Sequence, residues 1–241
     1  MFDRHGVPAV VRSAAIPGTQ ACQWASAAKG LEGPGSALAD AAKRLFPELE
    51  PHGGPDHVWY TAGGNDFAES WYQQCGHAAK TLAASQLCID KLTSVVGNCT
   101  QSLLEYYWAR YPSSRVMQCG YDFPCTDTKQ CQTVAARKLP HCGTDGTCQG
   151  EQTLYWQKMY IGALQARYEE LRMPYAGLDI SGAVQQAGGV PGAGVGSPVI
   201  GQGSPCDLMV ECVHPIYGKA GATAVGEAFW ELYFSKHPKR N

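Results

Sequence analysis

Long apolar runs, an excess of charge of one sign and the common nucleotide and metal motifs are all missing from this chain. No apolar stretch approaches the ~20 residues needed to cross a bilayer. The opening Met-Phe-Asp-Arg-His-Gly carries no apolar run of signal-peptide type. The net charge is only −2, which removes the electrostatic reason to expect a nucleic acid or an anionic membrane as partner. There is no P-loop, no HExxH helix and no GxGxxG turn. The remaining composition, 44% hydrophobic and 17% charged over 241 residues, is that of a globular protein with one sizeable core.

Cysteine is plentiful. There are eleven, five of them between Cys119 and Cys148, and such density belongs to oxidising compartments. Asn98-Cys99-Thr100 also fits a glycosylation acceptor. The chain therefore reads as secreted or extracytoplasmic, although it shows no export signal. An odd cysteine count leaves a free thiol, an intermolecular bridge or a partner outside the chain. An N-terminally incomplete sequence would account for all three observations.

Periodicity and breakers set out an alternation of strands and helices. Val7 to Ile16, closed by Pro17-Gly18, reads as a buried strand and turn. Helices are expected over Ala21–Ala28 and near Ala37–Leu45, and a second strand over His57–Ala62. Leu82, Ile89, Leu92 and Val96 share one helical face, and a further helical stretch with Leu103 and Tyr107 stops before Pro112. Arg115–Tyr121 reads as a third strand. Cys119 to Gly150 is polar and Cys-rich, a disulfide-bonded insertion within a single domain. A helix follows with Ile161, Leu164, Tyr168 and Leu171, then a weak strand over Tyr175–Val184 and a Gly/Pro-rich loop over 187–205. Val225, Ala228, Phe229 and Leu232 mark the last helix. This order implies an α/β fold with a parallel sheet covered on both faces, and ligands bind such sheets at the carboxyl ends of the strands.

Three loops hold candidate site residues. In Gly63-Gly64-Asn65-Asp66, the glycines allow a sharp turn after a strand and the Asn65 carboxamide can donate to an oxyanion; alternatively Asn65 and Asp66 cap the following helix. Gly18 can expose its backbone N–H to a substrate or simply make a turn. His214 has Glu211 three residues before it, so a carboxylate can orient the imidazole as in the second half of a Ser-His-acid relay; the bland reading is a surface histidine beside Pro215. Cys212, beside His214, is a conceivable nucleophile, but a disulfide suits it better. The cysteine intervals, with five residues between 119 and 125, 125 and 131, and 142 and 148, miss the C-x2–4-C of common zinc sites. A zinc-binding module built on that stretch is thus a third-ranked reading, and no metal or organic cofactor is expected.

Taken in chain order, these pieces resemble the SGNH (GDSL-type) hydrolases. Ala15-Ile16-Pro17-Gly18-Thr19 resembles the family's glycine block, Gly63-Gly64-Asn65-Asp66 its GxND block, and Glu211-Cys212-Val213-His214-Pro215 its DxxH block, followed by an amphipathic helix. The resemblance runs over about residues 7–234. It implies a flavodoxin-like three-layer α/β/α fold and cleavage of a carboxylic ester, acyl or acetyl, on a small molecule, a carbohydrate or a lipid. It also implies His214 as general base, Glu211 as its orienting acid, and the Gly18 N–H with the Asn65 side chain as oxyanion hole. Position 211 is Glu where the family usually has Asp, and triad acids vary between the two; Asp207, seven residues upstream of the histidine, is a poorer substitute. The larger departure is that no Gly-Asp-Ser occurs anywhere in the chain. In that family the nucleophile strand precedes the glycine block and sits inside the sheet, between the strands that would end here at Gly18 and Gly63. The expectation is an esterase fragment whose first strand and serine lie upstream of Met1. The alternative is a catalytically inactive secreted binding module on the same scaffold.

Overall fold

In the computed structural model the described residues are 2–11, 19–29, 54–61, 63–66, 75, 80–120, 122, 124–126, 128–131, 141–210, 212, 214–216 and 218–237. The helix expected near Ala37–Leu45 and residues 12–16 of the expected first strand lie outside them. In chain order the elements are α1 (Ala21–Ala28), β1 (His57–Tyr60), α2 (Leu82–Arg110), β2 (Arg115–Cys119), α3 (Gly146–Glu170), β3 (Tyr175–Leu178), α4 (Ala183–Ala187), β4 (Met209–Val210), β5 (His214–Pro215) and α5 (Ala220–Leu232).

β1, β2 and β3 form a parallel sheet in that order, with His57 opposite Arg115 and Val116 opposite Tyr175. Parallel neighbours need a long crossover, and α2 and α3 supply it. Each long helix begins on a side-chain cap: Thr81 accepts from the Ala84 N–H at 3.2 Å, and Asp145 from those of Thr147 and Cys148 at 2.9 and 3.3 Å. Successive strand residues point to opposite faces. Tyr60, Val116 and Tyr175 therefore pack with Ile89, Leu92, Val96 and Leu104 of α2 and Leu164 and Tyr168 of α3. Met117, Cys119 and Leu178 pack on the other face with Ala228 and Phe229 of α5. Helices thus cover both faces of the sheet, as expected from the alternation.

Several expectations need correction. The two helical stretches on either side of Gly97 are one helix of 29 residues. Leu82 and Leu171 sit at helix ends and are 50% and 43% exposed, because the apolar stripe outruns the sheet beneath it. The third strand ends at Cys119 and the fourth at Leu178, where Gly182 turns the chain (φ 86°) into α4. Residues 7–11 are irregular, with Val10 83% and Val11 71% exposed. β-Branched residues make a strand only where a ladder partner takes up their backbone groups. Among the described residues, β1 pairs with β2 alone and nothing ladders with 7–11.

Five disulfides form: Cys22–Cys99, Cys75–Cys88, Cys125–Cys206, Cys131–Cys212 and Cys142–Cys148. The odd cysteine is Cys119, a buried thiol in β2. The segment 119–150 is therefore not a self-contained disulfide unit. Cys119 belongs to the sheet, residues 146–150 open α3, and Cys125 and Cys131 bond outward to the segment before α5, which folds back beside them. Only Cys142–Cys148 closes within it. Cys125, Cys131, Cys142, Cys148 and Cys212 are all in disulfides, so none offers a thiolate to a zinc ion or as a nucleophile.

Candidate functional site

The direction of the helices places the candidate loops. His57, first in β1, has its ring against Tyr233 and Phe234 just past the end of α5, while Trp59, two residues on, meets Phe229. α5 thus runs antiparallel to the strands, and its N-terminal end lies at the carboxyl edge of the sheet. The hairpin that bears His214 leads directly into that end, so it shares this edge with the Gly63–Asp66 turn that follows β1. Ligand sites in open parallel sheets lie along such an edge.

The turn after β1 is shaped from below by α3. Gly63 has φ 117°, and a Cβ there would come within 2.6 Å of the Tyr160 ring. Glycine is required on both counts. Residues 64–66 then start a helical turn. The Asn65 carboxamide donates from Nδ2 to the Thr19 carbonyl at 3.2 Å. That bond uses one of the two N–H groups the carboxamide offers. Asp66 is 3% exposed, and its carboxylate accepts from the Ala21 N–H at 2.7 Å and the Cys22 N–H at 3.4 Å. Burial pushes this carboxyl above the usual aspartate range, and the two backbone N–H bonds pull against that rise. The aspartate therefore caps α1, far earlier in the chain. Capping across tertiary space has no spacing signature along the chain. Gly18 lies outside the described residues, but its neighbour Thr19 is held by Asn65. The turn after β1 and the start of α1 thus form one junction.

The edge continues across β2 and β3 on the same plan. Asp122 is 2% exposed and accepts from the Gly182 N–H at 2.7 Å and the Val184 N–H at 2.6 Å, at the start of α4. Sequence reasoning passed over Asp122; an acidic residue three positions beyond a strand is a weak signal. Beneath the edge, the Thr100 hydroxyl bonds Tyr160 Oη at 2.7 Å and Tyr60 Oη at 3.2 Å. Asn98 is exposed on α2, whereas Thr100 of the same triplet is fully buried.

His214 is exposed and opens β5, which pairs antiparallel with β4, Val210 opposite His214. Cys212, at the turn, adopts φ 69°, and its carbonyl accepts from the Cys125 N–H at 2.8 Å. Lys219 donates to the Asp207 carbonyl at 3.2 Å, closing the hairpin base. Glu211 lies outside the described residues. The structure thus joins the Asn65 turn to the residues after Gly18 and carries His214 to the same edge on a separate, disulfide-bound hairpin. No family model matches this chain, and comparison with curated proteins and with solved structures likewise returns no match.

Proposed function

We propose that this chain forms the oxyanion and base half of an SGNH-type carboxylic ester hydrolase, acting on an acyl or acetyl ester of a small molecule, carbohydrate or lipid. The observation that carries the reading is the 3.2 Å bond from the Asn65 carboxamide to Thr19. It brings the GxND-like and glycine-like loops, which lie more than forty residues apart in sequence, into one junction. The strand order β1-β2-β3, all parallel, agrees with the last three strands of a 2-1-3-4-5 sheet.

In this reading a serine from a strand and Gly-Asp-Ser turn upstream of Met1 attacks the ester carbonyl. His214 takes its proton and returns it to the leaving alcohol, with Glu211 holding the imidazole. The Gly18 N–H and the second Asn65 N–H donate to the oxyanion, each worth about 3 kcal/mol of barrier. Asp66 holds that junction closed by binding the first N–H groups of α1. Secretion belongs to the same proposal, and the five disulfides are compatible with it; a glycan on the exposed Asn98 belongs to it as well.

The test is p-nitrophenyl acetate turnover by the 241-residue chain and by a form extended with the upstream reading frame. The extended form should turn over, be silenced by a serine-directed phosphonate, and lose at least a hundredfold on His214→Ala. Full activity in His214→Ala would remove the assignment. Phosphonate-sensitive turnover by the 241-residue chain itself would place the nucleophile within it and remove the upstream serine.

A further inference from the structure

Two disulfides lie against one another behind the β4–β5 hairpin. Cys125–Cys206 and Cys131–Cys212 each join residues 81 apart in sequence. The Cys125 and Cys131 sulfurs belong to different disulfides yet are 3.5 Å apart, and those of Cys125, Cys131 and Cys206 all lie within 4.8 Å of one another. Cys125 and Cys131 are buried, whereas Cys206 and Cys212 are partly open to solvent. The four cysteines also repeat one interval. Five residues separate 125 from 131 and 206 from 212, and the same interval already closes as a disulfide at Cys142–Cys148.

We propose that this cluster is a thiol-triggered disulfide exchanger, which converts Cys125–Cys206 and Cys131–Cys212 into Cys125–Cys131 and Cys206–Cys212. The trigger is a small monothiol such as glutathione. Its thiolate attacks the Sγ of Cys206, the less buried residue of its pair, forming a mixed disulfide and expelling the Cys125 thiolate. That thiolate is already beside Cys131; it attacks Cys131 Sγ, forms Cys125–Cys131 and expels the Cys212 thiolate. Cys212 then attacks the mixed disulfide at Cys206, forms Cys206–Cys212 and releases the monothiol. Each step makes one S–S bond and breaks one, so the cycle is redox-neutral and the thiol is regenerated.

The exchange replaces two long-range links by two short loops. The hairpin then loses its covalent tie to the segment after β2, and the constraint that an 81-residue link imposes on the chain is lost with it. None of this depends on the hydrolase reading. Only one consequence does, that release of the hairpin displaces His214 from the site.

A Cys206→Ser chain tests the central step, since it leaves Cys125 as a thiol beside Cys131–Cys212. After incubation at mildly alkaline pH, alkylation and non-reducing peptide mapping, most chains should carry Cys125–Cys131 with Cys212 alkylated. An intact Cys131–Cys212 with Cys125 alkylated would overturn the proposal. The unaltered chain, mapped after exposure to a trace of reduced glutathione, gives the same answer should the variant fail to fold. Cys125–Cys131 and Cys206–Cys212 should appear together while Cys22–Cys99 and Cys142–Cys148 persist. Native pairing that persists unchanged, or scrambling spread over all the disulfides, would count against it.

Discussion

Replacing Asp66 with alanine should cost the fold about 2–3 kcal/mol. The carboxylate bonds two N–H groups at the start of α1, and the residue at the nearer of them, Ala21, is fully buried. A buried donor left without a partner costs about 1–3 kcal/mol, and loss of an N-cap typically about 1 kcal/mol. The two overlap, because the cap is made of the same bonds. With a urea dependence of about 1–3 kcal/mol/M, the unfolding midpoint should drop by roughly 1 M at unchanged slope. Asp66→Asn keeps an acceptor oxygen and should lose less than half as much. A midpoint for Asp66→Ala within about 0.5 kcal/mol of the parent would refute the reasoning, since the error of such fits is about that size. The pH dependence has a definite sign. Burial holds the folded Asp66 pKa above its unfolded value, so the folded chain keeps the proton longer. That contribution is fully present below the unfolded pKa of about 3.9 and is lost as pH rises through the folded pKa. The stability of the parent relative to Asp66→Asn should therefore fall across that window, and a rise would contradict the burial argument.

Three further outcomes are expected. Burial pushes the Cys119 thiol up to about 12, so a disulfide dye at mildly alkaline pH should find no thiol in the folded chain and one per chain in concentrated guanidinium; fast labelling of the folded protein would mean that β2 opens readily. Gly63→Ala places a side chain at φ 117° and within 2.6 Å of the Tyr160 ring, a combination that should cost about 1–3 kcal/mol in thermal or urea unfolding; an unchanged midpoint would mean that the turn moves freely. His57 is held below the usual histidine range, chiefly by burial and against the pull of Asp56. Its stabilising neutral form is lost as pH falls below the unfolded value of about 6.5, so His57→Gln should flatten the stability slope below about pH 6.5; an unaltered slope would show that His57 is not the titrating group.

The regular elements were legible in the sequence where one physical rule acted alone. α1 matches the expected Ala21–Ala28, α2 ends before Pro112 as its breaker requires, and the long helices show their buried stripe at Ile89, Leu92 and Val96 or at Leu164 and Tyr168. The alternation of strands and helices led directly to a parallel sheet with helices on both faces. Local composition also marked two candidate loops, through the paired glycines before Asn65 and the Glu211 carboxylate three residues before His214.

Periodicity and chemistry can be read along the chain alone: which residues can turn, cap, bond or bury, and that eleven cysteines cannot all pair with one another. Which of those groups meet depends on packing in three dimensions. Asp66 caps α1, 45 residues earlier in the chain, Asn65 reaches Thr19, and Cys125 and Cys131 bond to Cys206 and Cys212 before α5 instead of to each other. Local rules act over a few residues along the chain. Hydrogen bonds and disulfides form between groups a few ångströms apart in space, and that proximity is set by how the sheet and its two helical layers pack.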